Sequence, residues 1–255
     1  YLIDHRPAHV FEQKIHPNPS TAAMRSGTAF HTIVLEPDVF ERDNVPDPAP
    51  GSVSKAAILA RLELEAQGKT IIHTARETAS HWEKDDWRTL HRMRDAVLAH
   101  PIASILLAPD QGIAEQSCYW IDQGTGKLCR CRPDFYNDAH RLLIDLKSTD
   151  DASYTGFQKS ISKFRYFVQH AFYIDGWRAA GQRAANFVFI AVEKTPPYGV
   201  GIYILDKEAV RIGRLTYERN IDTYAKCHKT NDWHGYPPEI RDLELPHWAT
   251  KGFIS

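Results

Sequence analysis

Two short stretches constrain this chain more than any others. Arg130-Cys131-Arg132-Pro133-Asp134 reads as the end of one strand. Leu142-Leu143-Ile144-Asp145-Leu146-Lys147 reads as the neighbouring strand, with a turn at Asn137-Asp138 between them. Side chains alternate faces along a strand, so Asp145 and Lys147 point one way and Leu146 the other. The same parity puts Arg130, Arg132 and Asp134 on one face. As hairpin neighbours, the two strands bring Asp134, Asp145 and Lys147 to one spot. Two carboxylates and an ammonium in a small volume suit a hard divalent cation, with the lysine beside a water or a phosphate oxygen.

The rest of the chain supplies a frame for that pair. Thr21 to Leu35 has helical spacing in Ala22, Ala23, Ala29, Phe30, Ile33 and Val34, and Glu36-Pro37 ends it. Gly27 in mid-helix points to a close approach by another element. His31 lies four residues on, and a lone histidine in such a place is more often structural than a ligand. Tyr1 to Pro19 carries no strong periodic signal, and Asp38 to Ser52 reads as a mobile proline-rich loop. Helices are expected over Ser54–Gln67, closed by Gly68, over Trp82–His100, and over Pro101–Leu107. The period then changes. Ile113–Ile121, Leu128–Tyr136 and Arg141–Lys147 read as a three-stranded meander. Tyr154–Ser162 and Tyr166–Ala180 read as helices, with Gly181 as a stop. Ala185–Val192 and Val200–Leu205 read as strands, and Asp206 caps a helix running to about His228. The tail from Asn231, with Trp233, Tyr236 and Trp248, is suited to wrapping the body or meeting another subunit. The order predicts an α/β fold, a central mixed β-sheet flanked by helices.

Composition narrows the class. The 255 residues are 43% hydrophobic and 25% charged, enough for one good-sized core. No apolar run approaches the roughly 20 residues of a membrane span, so no membrane association is expected. The chain begins at Tyr1 with no methionine and no visible leader, which suggests a piece of a longer protein. Cys118, Cys129, Cys131 and Cys227 lack zinc spacing and form no disulfide framework, favouring a reducing, cytoplasmic setting and core packing for Cys129 and Cys131. A net charge of -1 is mildly unlike a nucleic-acid binder, but local fields decide that question more than totals do.

Gln169 and Tyr173 are four apart on one helix face. An amide and a phenol there hold a phosphate or a water without adding charge. The plain alternative is an amphipathic helix with Phe172 and Tyr173 in the core. The blocks also occur in a fixed order: Gly27-x-x-x-His31-x-x-x-Leu35-Glu36-Pro37, then Arg132-Pro133-Asp134, then Asp145-Leu146-Lys147, then Gln169-x-x-x-Tyr173. In that order they resemble the PD-(D/E)XK nucleases, and within them the RecE-type (exonuclease VIII) nuclease domain, related to lambda exonuclease and to the RecB and AddB nuclease domains. The resemblance runs from about Thr21 to about Gly181.

The resemblance implies a restriction-endonuclease-like core and a single nuclease domain over 1–255: a mainly helical part over 1–110, the core over 111–230, and a tail over 231–255. It implies Mg²⁺, with Mn²⁺ as a substitute, held by His31, Asp134, Asp145 and the backbone carbonyl of Leu146. Lys147 would position or help deprotonate the attacking water, Gln169 and Tyr173 would support the lysine and the scissile phosphate, and Glu115 would serve a second metal or the water. Asp145 stands where many relatives carry Glu. Arg130, Arg132, Lys159, Lys163 and Arg165 are candidates for DNA phosphates, with solvated surface charge as the alternative. The activity implied is 5′-to-3′ resection of linear double-stranded DNA by a toroidal tetramer, working with a RecT-like single-strand annealing protein. Two other readings stay open: a RecB- or Cas4-like nuclease acting on single strands or within a complex, and a non-catalytic DNA-binding module of the same fold.

Overall fold

A computed structural model describes residues 7–19, 21–74 and 86–245. Its helices are α1 (Pro7–Ile15), α2 (Ala22–Leu35), α3 (Pro37–Asp43), α4 (Lys55–Ala66), α5 (Asp86–Ala99), α6 (Pro101–Leu106), α7 (Tyr154–Lys163), α8 (Tyr166–Ala179) and α9 (Lys207–Thr230). Its strands are β1 (Asn44–Pro46), β2 (Thr70–Ile72), β3 (Gly112–Ala114), β4 (Cys118–Ile121), β5 (Leu128–Cys131), β6 (Phe135–Asn137), β7 (Leu142–Thr149), β8 (Asn186–Glu193) and β9 (Val200–Tyr203). The central sheet has the order β3-β6-β7-β8-β9 and is mixed: β7 and β8 are parallel, the other pairs antiparallel. Parallel neighbours need a crossover, and α7 and α8 provide it between β7 and β8.

The sheet separates two apolar layers. Ile144 and Leu146 on β7, with Val188, Ile190 and Val192 on β8, face Phe30, Ile33, Met93 and Val97 from α2 and α5. Leu143, Phe187, Phe189 and Ala191 face Phe157, Ile174 and Trp177 from α7 and α8. β8 is buried along nearly its whole length, which explains why its sequence reads as an unbroken apolar run rather than an alternation. The polar side chains of Asp145 and Lys147 fall on the α8 side, in the parity the sequence predicts. Among the described residues no helix is long and apolar enough to cross a membrane.

Helix ends follow the expected chemistry. Thr21, Ser54, Ser153 and Asp206 accept from the backbone N–H three residues on, at 3.2, 3.2, 3.2 and 2.7 Å. Gly68 and Gly181 close α4 and the α8 turn at φ 77° and 81°, where a side chain would be strained. α5 begins at Asp86; residues 82–85 of the expected helix, and Trp248, lie outside the described residues.

Four expectations are corrected. The Tyr1–Pro19 stretch contains α1, a short helix whose partners are distant in sequence: Phe11 stacks on Trp233 at 5.1 Å and Ala8 N–H donates to the His234 carbonyl. Asp38–Ser52 is not one loop. Pro37 both stops α2 and opens α3, where a missing N–H costs nothing, and Phe40 is fully buried. β1 then pairs in parallel with β2. The turn beyond is fastened by Arg61, which donates to both Asp47 oxygens (3.0 and 2.9 Å) and to the Ser52 and Ala49 carbonyls (2.8 and 2.5 Å). Gly27 marks no close approach; a Cβ there would meet nothing within 4 Å. Finally, two strands of the expected meander are broken. Ile113–Ile121 splits into β3 and β4, and Leu128–Tyr136 into β5 and β6. β4 and β5 form a hairpin of their own, with Cys118 opposite Cys131. Glu115 breaks the first strand with a left-handed φ of 53°, and Pro133 has no N–H to give a ladder in the second. Arg130 therefore does not share a continuous strand face with Asp134; it sits in the hairpin, opposite Tyr119.

His170 on α8 is buried against Phe187, ring centroids 5.2 Å apart. Burial pushes its pKa down to about 4. The unfolded chain therefore binds a proton that the folded chain refuses, and stability present above about pH 6.5 drains away as pH falls towards 4. The expected loss is about 3 kcal/mol between pH 7 and pH 4. Urea unfolding of wild type and His170→Gln at both pH values measures it; the variant should lack that share of the acid sensitivity.

Candidate active site

The site forms where the breaks in the meander meet β7. Asp134 leads into β6, and the register Phe135↔Ile144 places it beside Asp145 and Leu146. The Leu146 N–H donates to Asp134 Oδ2 at 2.6 Å, and His31 Nδ1 on α2 lies 3.3 Å from Asp134 Oδ1. Glu115, from the other break, donates its backbone N–H to the Asp134 carbonyl at 2.9 Å. Its left-handed backbone turns the chain out of β3 at this point, and such strain in a non-glycine residue clusters at functional sites. The Glu115 carboxylate meets Arg132 Nε at 2.9 Å.

Asp145 is 1% exposed. Lys147 Nζ lies 2.5 Å from its Oδ2, and Gln169 Nε2 donates to its Oδ1 at 2.5 Å. α8 thus reaches the site through Gln169. Tyr173, one turn further on, packs edge-on to Phe187 at 5.9 Å. Lys147 also sits over the ring of Tyr166, 4.7 Å from its centroid. Tyr166 escapes a search for charged motifs, yet it stands three residues before Gln169 and seven before Tyr173, which is one helical face.

The site's charge is lopsided: Glu115, Asp134 and Asp145 against Lys147 and Arg132. Burial and the Asp134 carboxylate push the Asp145 pKa up, with Lys147 opposing. Burial works against the charge on Lys147, but Asp145 and Asp134 outweigh it and hold its pKa above the ordinary lysine value, so it is a fixed cation. Burial and then Asp134 raise Glu115, with Arg132 opposing. His31 is pushed down by burial, but its hydrogen bond to Asp134 and the charges of Asp134 and Asp145 leave it raised overall. Burial together with Asp145 and Asp134 pushes Tyr173 up to about 12, so its phenol stays a donor.

One oxygen each from Glu115 and Asp134 and a ring nitrogen of His31 lie within 4.8 Å of one another. Ligands at 2.0–2.3 Å from a common ion stand roughly 3–4 Å apart, so small side-chain adjustments close this set on a cation. Two carboxylates and an imidazole suit Mg²⁺ or Mn²⁺. Asp145, expected among the ligands, is next to this trio but engaged by Lys147 and Gln169. Leu146, expected to contribute its carbonyl, meets the site through its amide, which fixes Asp134. Of the basic residues expected at DNA, Arg132 is at the site and Arg130 is on the hairpin. Lys159 and Lys163 are exposed on α7, and Arg165 precedes α8.

A family model described as "PDDEXK-like domain of unknown function (DUF3799)" matches residues 4–241. The chain belongs to this PDDEXK-like family. Among solved structures, it is similar to one titled "Putative exonuclease" from Eubacterium rectale, with a TM-score of 0.56 and 10% identity over 97% of this chain and 86% of that one. At that identity the likeness is one of fold. A chain titled SSO0001 aligns over 48% of this chain and 55% of its own length, with 16% identity and a TM-score of 0.30. No curated protein sequence matches. A PDDEXK-like fold with a candidate cation site makes this domain a nuclease-type hydrolase.

Proposed function

We propose that this domain is a divalent-metal-dependent exodeoxyribonuclease that resects linear double-stranded DNA from the 5′ end, leaving 3′ single strands for recombination. The observation that carries the reading is the meeting of Asp134, Asp145, Lys147 and Gln169 at the breaks of one sheet, beside a His31–Glu115–Asp134 trio able to hold a cation. A structural salt bridge does not call for a third carboxylate, a strained backbone at Glu115 and an amide donated to Asp145 from another element. A DNA-binding module gains nothing from an acidic cluster that repels phosphate.

His31, Glu115 and Asp134 would hold the cation, with Asp145 adjacent. When bound, a hard divalent cation activates water and offsets charge on the phosphate oxygens. The chain's own groups do the remaining work. Lys147, kept protonated by two carboxylates, places positive charge where the phosphate turns more negative. Asp145 anchors that ammonium and so fixes its position, and Gln169 fixes Asp145 in turn. Tyr173 stays protonated near the same carboxylates. In this reading Arg132, at the rim, meets backbone phosphate, as do Lys159, Lys163 and Arg165 around the start of α8. Mg²⁺ is the proposed cofactor, with Mn²⁺ as a substitute. Duplex ends, a toroidal tetramer, a RecT-like annealing protein and a cytoplasmic setting complete the proposal from the RecE-type resemblance.

Linear duplex labelled at one 5′ end, with a closed circle as control, tests the polarity. Early release of labelled mononucleotide from the linear DNA and an intact circle are expected. Nicking or linearisation of the circle would replace the exonuclease with an endonuclease. Preference for a single-stranded oligonucleotide would favour the RecB-like reading.

A further inference from the structure

Phe164 is 55% exposed although it lies beside a buried aromatic cluster around Phe157 and Phe189. It is the C-terminal cap of α7, and Arg165, with a left-handed φ of 53°, turns the chain from it into α8. Its ring stacks on Tyr166, with centroids 5.5 Å apart and planes 25° apart. Tyr166 is itself stacked on the buried Phe189 at 5.8 Å and lies under the Lys147 ammonium. Lys163 Nζ, on an exposed and flexible stem, is 5.2 Å from the same ring's centroid. A line of groups therefore runs from Asp145 through Lys147 and Tyr166 to an exposed aromatic ring with the Lys163 ammonium beside it. Tyr166 is held by the core and in turn holds Phe164 at a fixed tilt.

We propose that Phe164 is a base-stacking platform, taking a nucleobase of the strand whose phosphate lies at Lys147, while Lys163 meets the adjoining phosphate. An aromatic face among cations is the chemistry by which proteins hold unpaired nucleotides without reading their sequence. An apolar protein surface would not account for the Lys163 ammonium beside the ring or for the stack leading to Lys147. The platform would hold the terminal nucleotide out of the duplex, in line with the site. The inference rests on the nuclease reading and adds a substrate-positioning subsite to it.

The test uses duplex DNA with 2-aminopurine as the 5′-terminal base, bound in Ca²⁺, alongside steady-state cleavage in Mg²⁺. Wild type should quench the 2-aminopurine on binding. Phe164→Ala should lose the quench and raise KM about tenfold, within the range of one lost base stack, while kcat changes little. Phe164→Tyr should restore both readouts and Phe164→Leu neither, because leucine is apolar but has no π face. The ring is exposed, so these variants should fold; circular dichroism confirms it. If Phe164→Ala matches wild type in quench and KM while wild type cleaves, the platform is wrong and the nuclease reading stands. If Phe164→Leu restores both readouts, the contact is merely apolar and the stacking proposal is overturned. If wild type neither binds nor cleaves DNA with metal, the platform falls together with the nuclease reading.

Discussion

Replacing Asp145 with Asn should reduce DNA cleavage by about a thousandfold or more while leaving the fold intact, on the scale of removing a well-placed charged group from a catalytic site. The amide has the shape of the carboxylate and still accepts from Gln169. It cannot anchor an ammonium in the same way, and it is a poorer neighbour for a divalent cation. Replacing the partner should act differently. Lys147→Met should also abolish cleavage, but it leaves the Asp145 carboxylate buried with Asp134 nearby and no cation against it. Losing one member of a buried pair costs about 3–5 kcal/mol. The Asp145 pKa, already raised by burial and Asp134, should rise further in that variant. A carboxylate with a raised folded-state pKa costs stability as pH climbs through that value, so the penalty should be largest near pH 8 and shrink on acidification. Urea midpoints at pH 5.5 and 8 for wild type, Asp145→Asn and Lys147→Met read this out. A Lys147→Met penalty that is independent of pH would mean that Asp145 is not the partner that matters.

Gly213→Ala should damage the scaffold itself, although it adds only one methyl group. α8 is squeezed from two sides. A Cβ at Gly213 on α9 would lie 2.1 Å from the Phe167 carbonyl oxygen, and one at Gly176 would lie 2.3 Å from the Trp120 ring. A backbone oxygen cannot rotate away as a side-chain end can, so α9 must lift off α8. Bidentate Arg214–Asp175 contacts at 2.6 and 2.8 Å, and the Tyr217 hydroxyl at 2.9 Å, pin the same interface and oppose that movement. Overpacking of this kind costs about 1–3 kcal/mol, and here the upper end or beyond is expected. Because α8 carries Gln169 and Tyr173, cleavage should fall along with stability. A thermal melt and an activity assay on Gly213→Ala check both; an unchanged melting temperature would show that the helices are not packed as tightly as described. Gly213→Ser should be at least as harmful.

The site was legible in sequence where its chemistry is local. Asp145 and Lys147 alternate with Leu146 on one strand, and Gln169 is spaced from Tyr173 by one helical turn; both relations need only a period. The cap at Asp206 and the stop at Gly68 are legible for the same reason. What stayed hidden depends on contacts across the chain. Alternation carried the expected strands straight through Glu115 and through Arg132-Pro133-Asp134, yet the breaks at those points are what free Glu115 and Asp134 to face His31. Nothing in the local pattern sets Glu115 into the left-handed region or pairs it with Arg132. α1 is held by Trp233, more than 200 positions away, and α3 begins at a proline that reads equally well as the start of a loop. Tyr166 carries no site signal in sequence, because an aromatic residue at a helix start is usually a packing group. Its place above Lys147 comes from the fold of β7 against α8.

The most direct test of the central claim is release of acid-soluble nucleotide from a uniformly labelled linear duplex, with purified wild-type protein, in Mg²⁺, in Mn²⁺ and in EDTA. The account predicts release in both metals, none in EDTA, and restoration when metal is returned. Folded protein that binds the duplex yet releases nothing in either metal would contradict it, and would make this domain a DNA-binding module built on a nuclease fold.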